Sequence, residues 1–303
     1  MDVSDGGIIV GQYAFDDTYR RPAIYNIEKG VWAELEILET TKTIIDAGSY
    51  WGEATSITSD GRFIGGYIIS HLDNGSPRNV ACVWRRTNDD EKNPVYALQM
   101  PVDTEADKIH CNGDWAWHIS NDGKWLGGVS SAVCGSHNVA IWENKGDGSL
   151  LERTWLIGQE DWIRTEDDTH DGIIDDEDGG DTTICQYVWA GQVQGISPSG
   201  EWIVGWHTYN GTGIIPDELA AEGVKDYPRV GFRYNTITKE LEDSIEDGLP
   251  TVVFDDGEMI YYQNGESKIT LSSSANKKIQ CGSYLIAVEG MGAMNMPFVY
   301  ISK

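Results

Sequence analysis

Short runs of alternating or continuous apolar residues, four to eight long and bounded by Gly, Asp, Asn and Ser, recur along the chain. That patterning predicts β-strands joined by tight turns. One unit repeats: Ser4-Asp5-Gly6-Gly7-Ile8-Ile9-Val10-Gly11, Ser59-Asp60-Gly61-Arg62-Phe63-Ile64-Gly65-Gly66, Asn121-Asp122-Gly123-Lys124-Trp125-Leu126-Gly127-Gly128 and Pro198-Ser199-Gly200-Glu201-Trp202-Ile203-Val204-Gly205. A worn fifth copy runs from Asn276-Lys277 through Ile279 to Gly282. Each copy predicts a hairpin: a strand ending at Ile57, Ile119 or Ile196, a turn whose glycine accepts positive φ, and an apolar return strand. A third strand follows at Ala23-Ile24-Tyr25, Ala81-Cys82-Val83-Trp84, Ala140-Ile141-Trp142, Gly231-Phe232-Arg233-Tyr234 and Phe298-Val299-Tyr300. A fourth follows in most units, as at Val31-Trp32-Ala33-Glu34-Leu35 and Val95-Tyr96-Ala97-Leu98.

Four antiparallel strands per unit, repeated, predict an all-β fold: a β-propeller of five or six four-stranded blades in one domain spanning residues 1–303. A solenoid is the competing arrangement. Pro250 to Gln263, with a turn at Asp255-Asp256-Gly257, reads as an additional hairpin, either part of the fourth blade or a degenerate sixth. Pro216 to Gly223 reads as one short helix in an insertion.

The Ile-Ser-x-Asp-Gly stretch, the apolar strand ending in Gly and the Ala-x-x-Trp strand resemble the extracellular propeller-like HAF repeats. The match is best for Ile57 to Trp84 and Ile119 to Trp142. The resemblance implies a bacterial protein that is secreted, periplasmic or on the cell surface, and it carries no catalytic residues. The chain opens Met-Asp-Val-Ser-Asp, and with Asp2 already inside a repeat, Met1 reads as a start added to a mature protein whose signal peptide is absent.

Strand alternation sorts the connections into two sets. The turns between first and second and between third and fourth strands are short and lie on one face; the others lie opposite and are long, so that opposite face is expected to do the binding. Trp51, Trp115 and Trp189 precede the innermost strands there, and with His110 they are the candidate ligand-binding residues, set to stack on a sugar ring or a peptide side chain. Ordinary packing is the alternative. Trp84, Trp125, Trp142 and Trp202 sit at repeated strand positions and read as blade packing.

Charge changes the picture in one place. With 49 acidic and 22 basic side chains the net charge is -27, which opposes nucleic acid and anionic lipid as partners. Residues Gln159 to Asp181 contain 11 acids and one arginine. They belong to an acidic insertion, residues 159–184, between the third and fourth units. Its run Asp167-Asp168-Thr169-His170-Asp171-Gly172-Ile173-Ile174-Asp175-Asp176-Glu177-Asp178 resembles the calcium loops of EF-hands, dockerins and thrombospondin type 3 repeats. The resemblance implies calcium held by side-chain or water-mediated oxygens at Asp167, Thr169, Asp171, Asp175 and Asp178 and by the Ile173 carbonyl. Thr169 is uncharged where Asp or Asn is usual, and a solvated acidic loop is the plainer alternative.

The five cysteines show no Cys-x-x-Cys spacing, and the chain shows no nucleophile elbow, phosphate loop or dinucleotide fingerprint. The functional expectation is a non-catalytic binding propeller, monomeric and not inserted in a membrane, for a glycan or a surface protein. A polysaccharide hydrolase or lyase on the same scaffold is the alternative.

Overall fold

The computed structural model describes residues 2–14, 19–43, 50–71, 77–90, 93–101, 113–131, 138–145, 149–150, 153–157, 191–208, 229–245, 249–263, 266–269, 278–288 and 292–302. The chain divides into two compact units, Met1–Lys268 and Ile269–Lys303. The described residues are β throughout, apart from one 3-10 turn at Thr41–Thr43. The acidic insertion, the helix expected from Pro216 and the segments holding His110 and Trp189 lie outside the described residues.

The first unit holds successive antiparallel groups of strands, each in chain order; the second and third, called sheets 2 and 3, are joined into one nine-stranded sheet by a parallel bridge from Asn79 to Gly113. Sheet 1 is β1 (Asp2–Val3), β2 (Ile8–Ala14), β3 (Arg20–Asn26) and β4 (Val31–Glu34). Sheet 2 is β5 (Gly52–Ile57), β6 (Phe63–His71), β7 (Pro77–Arg86) and β8 (Tyr96–Pro101). Sheet 3 is β9 (Gly113–Ile119), β10 (Trp125–Ser131), β11 (Asn138–Glu143) and β13 (Thr154–Ile157). The intervening β12 (Ser149–Leu150) pairs in parallel with the outer strand β8. Sheet 4 is β14 (Gly191–Ile196), β15 (Trp202–Thr208), β16 (Arg229–Asn235) and β17 (Leu241–Ile245). Sheet 5 is β18 (Leu249–Val253), β19 (Met259–Gln263) and β20 (Glu266–Ile269).

The hairpin at Pro250–Gln263 therefore belongs to a fifth sheet of its own, not to sheet 4. The copy at Asn276–Gly282 falls instead in the second unit, a long hairpin of β21 (Lys278–Val288) and β22 (Gly292–Ser302). There Gly282 is opposite Phe298, matching Gly205 opposite Phe232 in sheet 4.

Consecutive sheets pack by apolar faces. Ile64, Ile68, Cys82 and Trp84 of sheet 2 meet Ile8, Val10 and Ile24 of sheet 1. Ala81 and Val83 meet Ala116, Leu126, Ala140 and Trp142. Val139 and Ile141 meet Val193, Ile203 and Phe232, and Val204 meets Val253 and Met259. Full burial of each such aliphatic side chain is worth roughly 1.5–3 kcal/mol. First strands touch first strands, β1 to β5, β5 to β9, β9 to β14 and β14 to β18, so the sheets converge along their innermost strands as blades do.

The repeated turn explains how the sheets stay in step. Its glycine is left-handed every time: Gly7 at φ 75°, Gly61 at 67°, Gly123 at 72°, Gly200 at 75° and Gly257 at 80°. Gly123 lies against the Phe63 ring of the preceding sheet, and Gly200 and Gly257 lie in the same way on Trp125 and Trp202. The hydroxyls of Thr58, Ser120 and Ser197 accept from the amides of Phe63 (3.1 Å), Trp125 (2.9 Å) and Trp202 (3.1 Å), closing each turn from inside. Turns are also joined to one another. The amide of Asp5 donates to Ser59 O (2.8 Å), that of Ser59 to Asn121 Oδ1 (3.0 Å), and that of Asn121 to Pro198 O (2.9 Å). Pro198 has no N–H, and Ser199 donates in its place to Asp255 Oδ1 (2.8 Å).

Candidate functional site

The innermost strands share a feature that single-sequence patterning does not show. In β5, β9, β14 and β18 the pairing slips by one residue, leaving Thr55, Trp117, Gln194 and Thr251 as extra residues at a bulge. A bulge raises local twist and redirects a side chain. Two residues earlier, Glu53, Trp115, Gln192 and Leu249 occupy matching register positions. All eight side chains are half-buried, whereas the residues between them, Ala54, Ala116, Val193 and Pro250, are buried against neighbouring sheets. Each innermost strand thus turns one partly open side toward its neighbours' equivalents.

The chemistry of this surface is mixed. Sheet 3 contributes two indoles, sheet 4 two carboxamides, and sheet 2 a carboxylate and a hydroxyl. The Tyr67 phenol donates to Glu53 Oε2 at 3.2 Å, with Tyr50 set edge-on to the Tyr67 ring at 6.4 Å. Burial first, and then the nearby Glu53 carboxylate, pushes the Tyr67 phenol far up, so it stays protonated as a donor. Thr55 Oγ1 donates across to Ala116 O of the next sheet at 2.8 Å. His118 follows the sheet 3 bulge. Part of its surface still reaches solvent, but enclosure of the imidazole lowers its pKa to about 4, keeping it neutral near pH 7.

No family model matches the chain, and no curated protein matches it. Several solved structures are similar to it at low identity. TolB from Acinetobacter baumannii matches at 14% identity and TM-score 0.36, over 98% of this chain and 53% of its own. A periplasmic gluconolactonase from Pseudomonas aeruginosa matches at 14% and 0.38, over 96% and 76%. A prolyl endopeptidase matches at 11% and 0.30, over 99% and 46%. The chain spans 53% and 46% of the length of the first and third.

Of the candidates expected from sequence, Trp115 lies within β9, one of two indoles on the innermost surface. Trp51 immediately precedes β5 but is only 7% exposed. Tyr19 stacks on it at 4.7 Å and 12°, and the Arg21 guanidinium sits 4.9 Å from its ring centre. It packs sheet 1 on sheet 2, and a ligand would have to displace those partners to reach it. Trp189 and His110 lie outside the described residues, as do Asp167, Thr169, Asp171, Ile173, Asp175 and Asp178. Among the described residues no group of three or more His, Cys, Asp or Glu is placed to hold a metal ion. Sequence reasoning missed Trp117, Gln192 and Gln194; their signal was a bulge, which is visible only once strand partners are known.

Proposed function

We propose that the chain is a HAF-type β-propeller acting outside the cell or on its surface as a non-catalytic binding module. Its ligand class is a glycan, with a surface protein as the other partner class. One observation carries this reading: half-buried Trp115 and Trp117 occupy the same two register positions on β9 that Gln192 and Gln194 occupy on the adjacent β14. Indole faces stack on the C–H faces of sugar rings, and carboxamides both donate to and accept from hydroxyls without adding charge. Among the described residues no helix is long and apolar enough to cross a membrane.

Glycan-array screening followed by product analysis of each hit tests the reading. Binding without turnover, lost at least tenfold in Trp115→Ala and Gln192→Ala, is the expected result; no binding to any glycan overturns it. The second reading, a polysaccharide hydrolase or lyase, is favoured by Glu53, a carboxylate held by a phenol on the same surface. New reducing ends or unsaturated products, abolished in Glu53→Gln, would establish it.

Calcium in the acidic insertion is part of the same proposal and rests on the spacing of Asp167, Asp171, Gly172, Asp175 and Asp178. Calorimetric titration of chelator-treated protein should show saturable calcium binding that Asp171→Ala weakens by at least tenfold. The site falls if neither millimolar calcium nor the substitution has any effect.

A further inference from the structure

The outer strands of sheets 1 and 2 flank an open groove of about 760 Å³, within the range of ligand-binding clefts. Its floor is apolar, made by the buried side chains of Ile24, Leu35, Ile37 and Tyr96. Glu36 joins the two banks: its carbonyl accepts the Trp84 indole N–H at 2.7 Å, and its carboxylate accepts the Leu98 amide at 3.0 Å. Lys29 Nζ donates to Asn93 Oδ1 and ties the turn before β4 to the segment before β8. A groove braced in this way needs little reordering to take a ligand.

One bank is a strand with a free edge. Leu35 N donates to Pro22 O at 2.9 Å, and bonded positions alternate in an antiparallel pair, so Val31, Ala33 and Leu35 direct their backbone groups at β3. The N–H and C=O groups of Trp32 and Glu34 point the other way, and among the described residues no strand pairs with that edge of β4. Val31 and Ala33 share the Ile24 side of the sheet, which faces sheet 2. Val31 is 51% exposed and Val95, on the far bank, 56%. The charge is biased as well. Glu34, Glu36 and Glu39 line the groove with one cation, Lys42. Arg21 meets Glu34 at 2.9 Å and Lys42 meets Glu39 at 2.8 Å, the latter pair with its carboxylate 87% exposed and worth little. Three carboxylates against two cations leave the groove negative, in a chain of net charge -27.

We propose that this groove binds an extended segment of a protein partner in which apolar residues alternate with lysine or arginine. The segment adds as a strand to the free edge of β4 and exchanges main-chain hydrogen bonds with Trp32 and Glu34. Its apolar side chains, all on one face, cover the floor, Val31 and Val95. Its basic side chains meet Glu34 and the exposed carboxylates of Glu36 and Glu39 at the groove's margin. The site is separate from the innermost surface and does not rest on the glycan reading.

The test is calorimetric titration of the whole chain, at physiological salt, with a capped synthetic peptide alternating Val and Lys and with its Val–Glu counterpart. Saturable binding of the first and none of the second is expected. Val95→Lys should weaken binding at least tenfold with the melting temperature unchanged, and Glu240→Lys, a larger charge change on sheet 4, less than twofold. Glu34→Pro removes an outward N–H that Glu34→Gln keeps, and proline is tolerated on a strand edge, so the first should bind at least tenfold more weakly than the second. Val95→Lys decides alone if Glu34→Pro does not fold. The groove is wrong if wild type does not bind the Val–Lys peptide, or if Glu240→Lys weakens binding as much as Val95→Lys does. Equal binding by Glu34→Pro and Glu34→Gln overturns strand addition. A dimer in sedimentation that Val95→Lys dissociates puts a second copy in the groove and overturns the assignment.

Discussion

His118 carries a consequence for stability in acid. Its pKa falls from an ordinary 6.5 to about 4 on folding, so between those values the unfolded chain binds the proton and the folded one does not. The contribution of the neutral imidazole is complete above pH 6.5 and is lost as pH falls toward 4, amounting to at most about 3 kcal/mol. Carboxylates titrate in part of this window, so a single curve would not isolate it. Denaturant midpoints at pH 7 and pH 4.5 should draw apart less in His118→Gln than in wild type. Cys82 makes a different point: burial pushes its thiol well up, so a thiol reagent at pH 8 should modify it only after unfolding. Cys82 is a free, buried cysteine.

At the level of the element, the turn glycine does two jobs that substitution can separate. Gly30 and Gly123 are both left-handed, at φ 67° and 72°. A Cβ at Gly30 would meet only the Tyr25 hydroxyl at 3.7 Å, whereas at Gly123 it would strike the Phe63 ring. Gly30→Ala should therefore cost about 1 kcal/mol from backbone strain alone, and Gly123→Ala about 2–4 kcal/mol as strain and overpacking add. Chemical denaturation of both variants measures the difference. These turns were readable in sequence because Asp-Gly between apolar runs is local chemistry, and the strand ends at Ile57, Ile119 and Ile196 fall where the pattern puts them. The fifth sheet was legible only as an additional hairpin, for an equally local reason. Its return strand carries Tyr261 at the register position that Gly66, Gly128 and Gly205 hold in sheets 2, 3 and 4. The bulges at Thr55, Trp117 and Gln194 had no local signature, since register exists only between strands.

On the scale of the whole molecule, the interfaces between sheets combine apolar burial with the chain of hydrogen bonds from turn to turn. Asp255 tests the second component. Its carboxylate accepts the Ser199 amide across sheets 4 and 5. Asp255→Ala should cost about 1 kcal/mol and hasten hydrogen exchange at Ser199 while leaving Asn121 protected. Equal exchange at Ser199 in both proteins would mean the contact does not hold the sheets together.

That chain of contacts runs one way. Each of the first four turns donates a backbone N–H to its successor, a head-to-tail joint of the kind that links unlike surfaces in series. Such joinery makes no demand on what hangs from the far end of a sheet. The segments joining β6 to β7 or β15 to β16 can differ in length and sequence without altering a single joint, so foreign loops grafted there should leave the turn-side contacts intact. The joints and the connecting segments are then free to diverge separately, repeat by repeat.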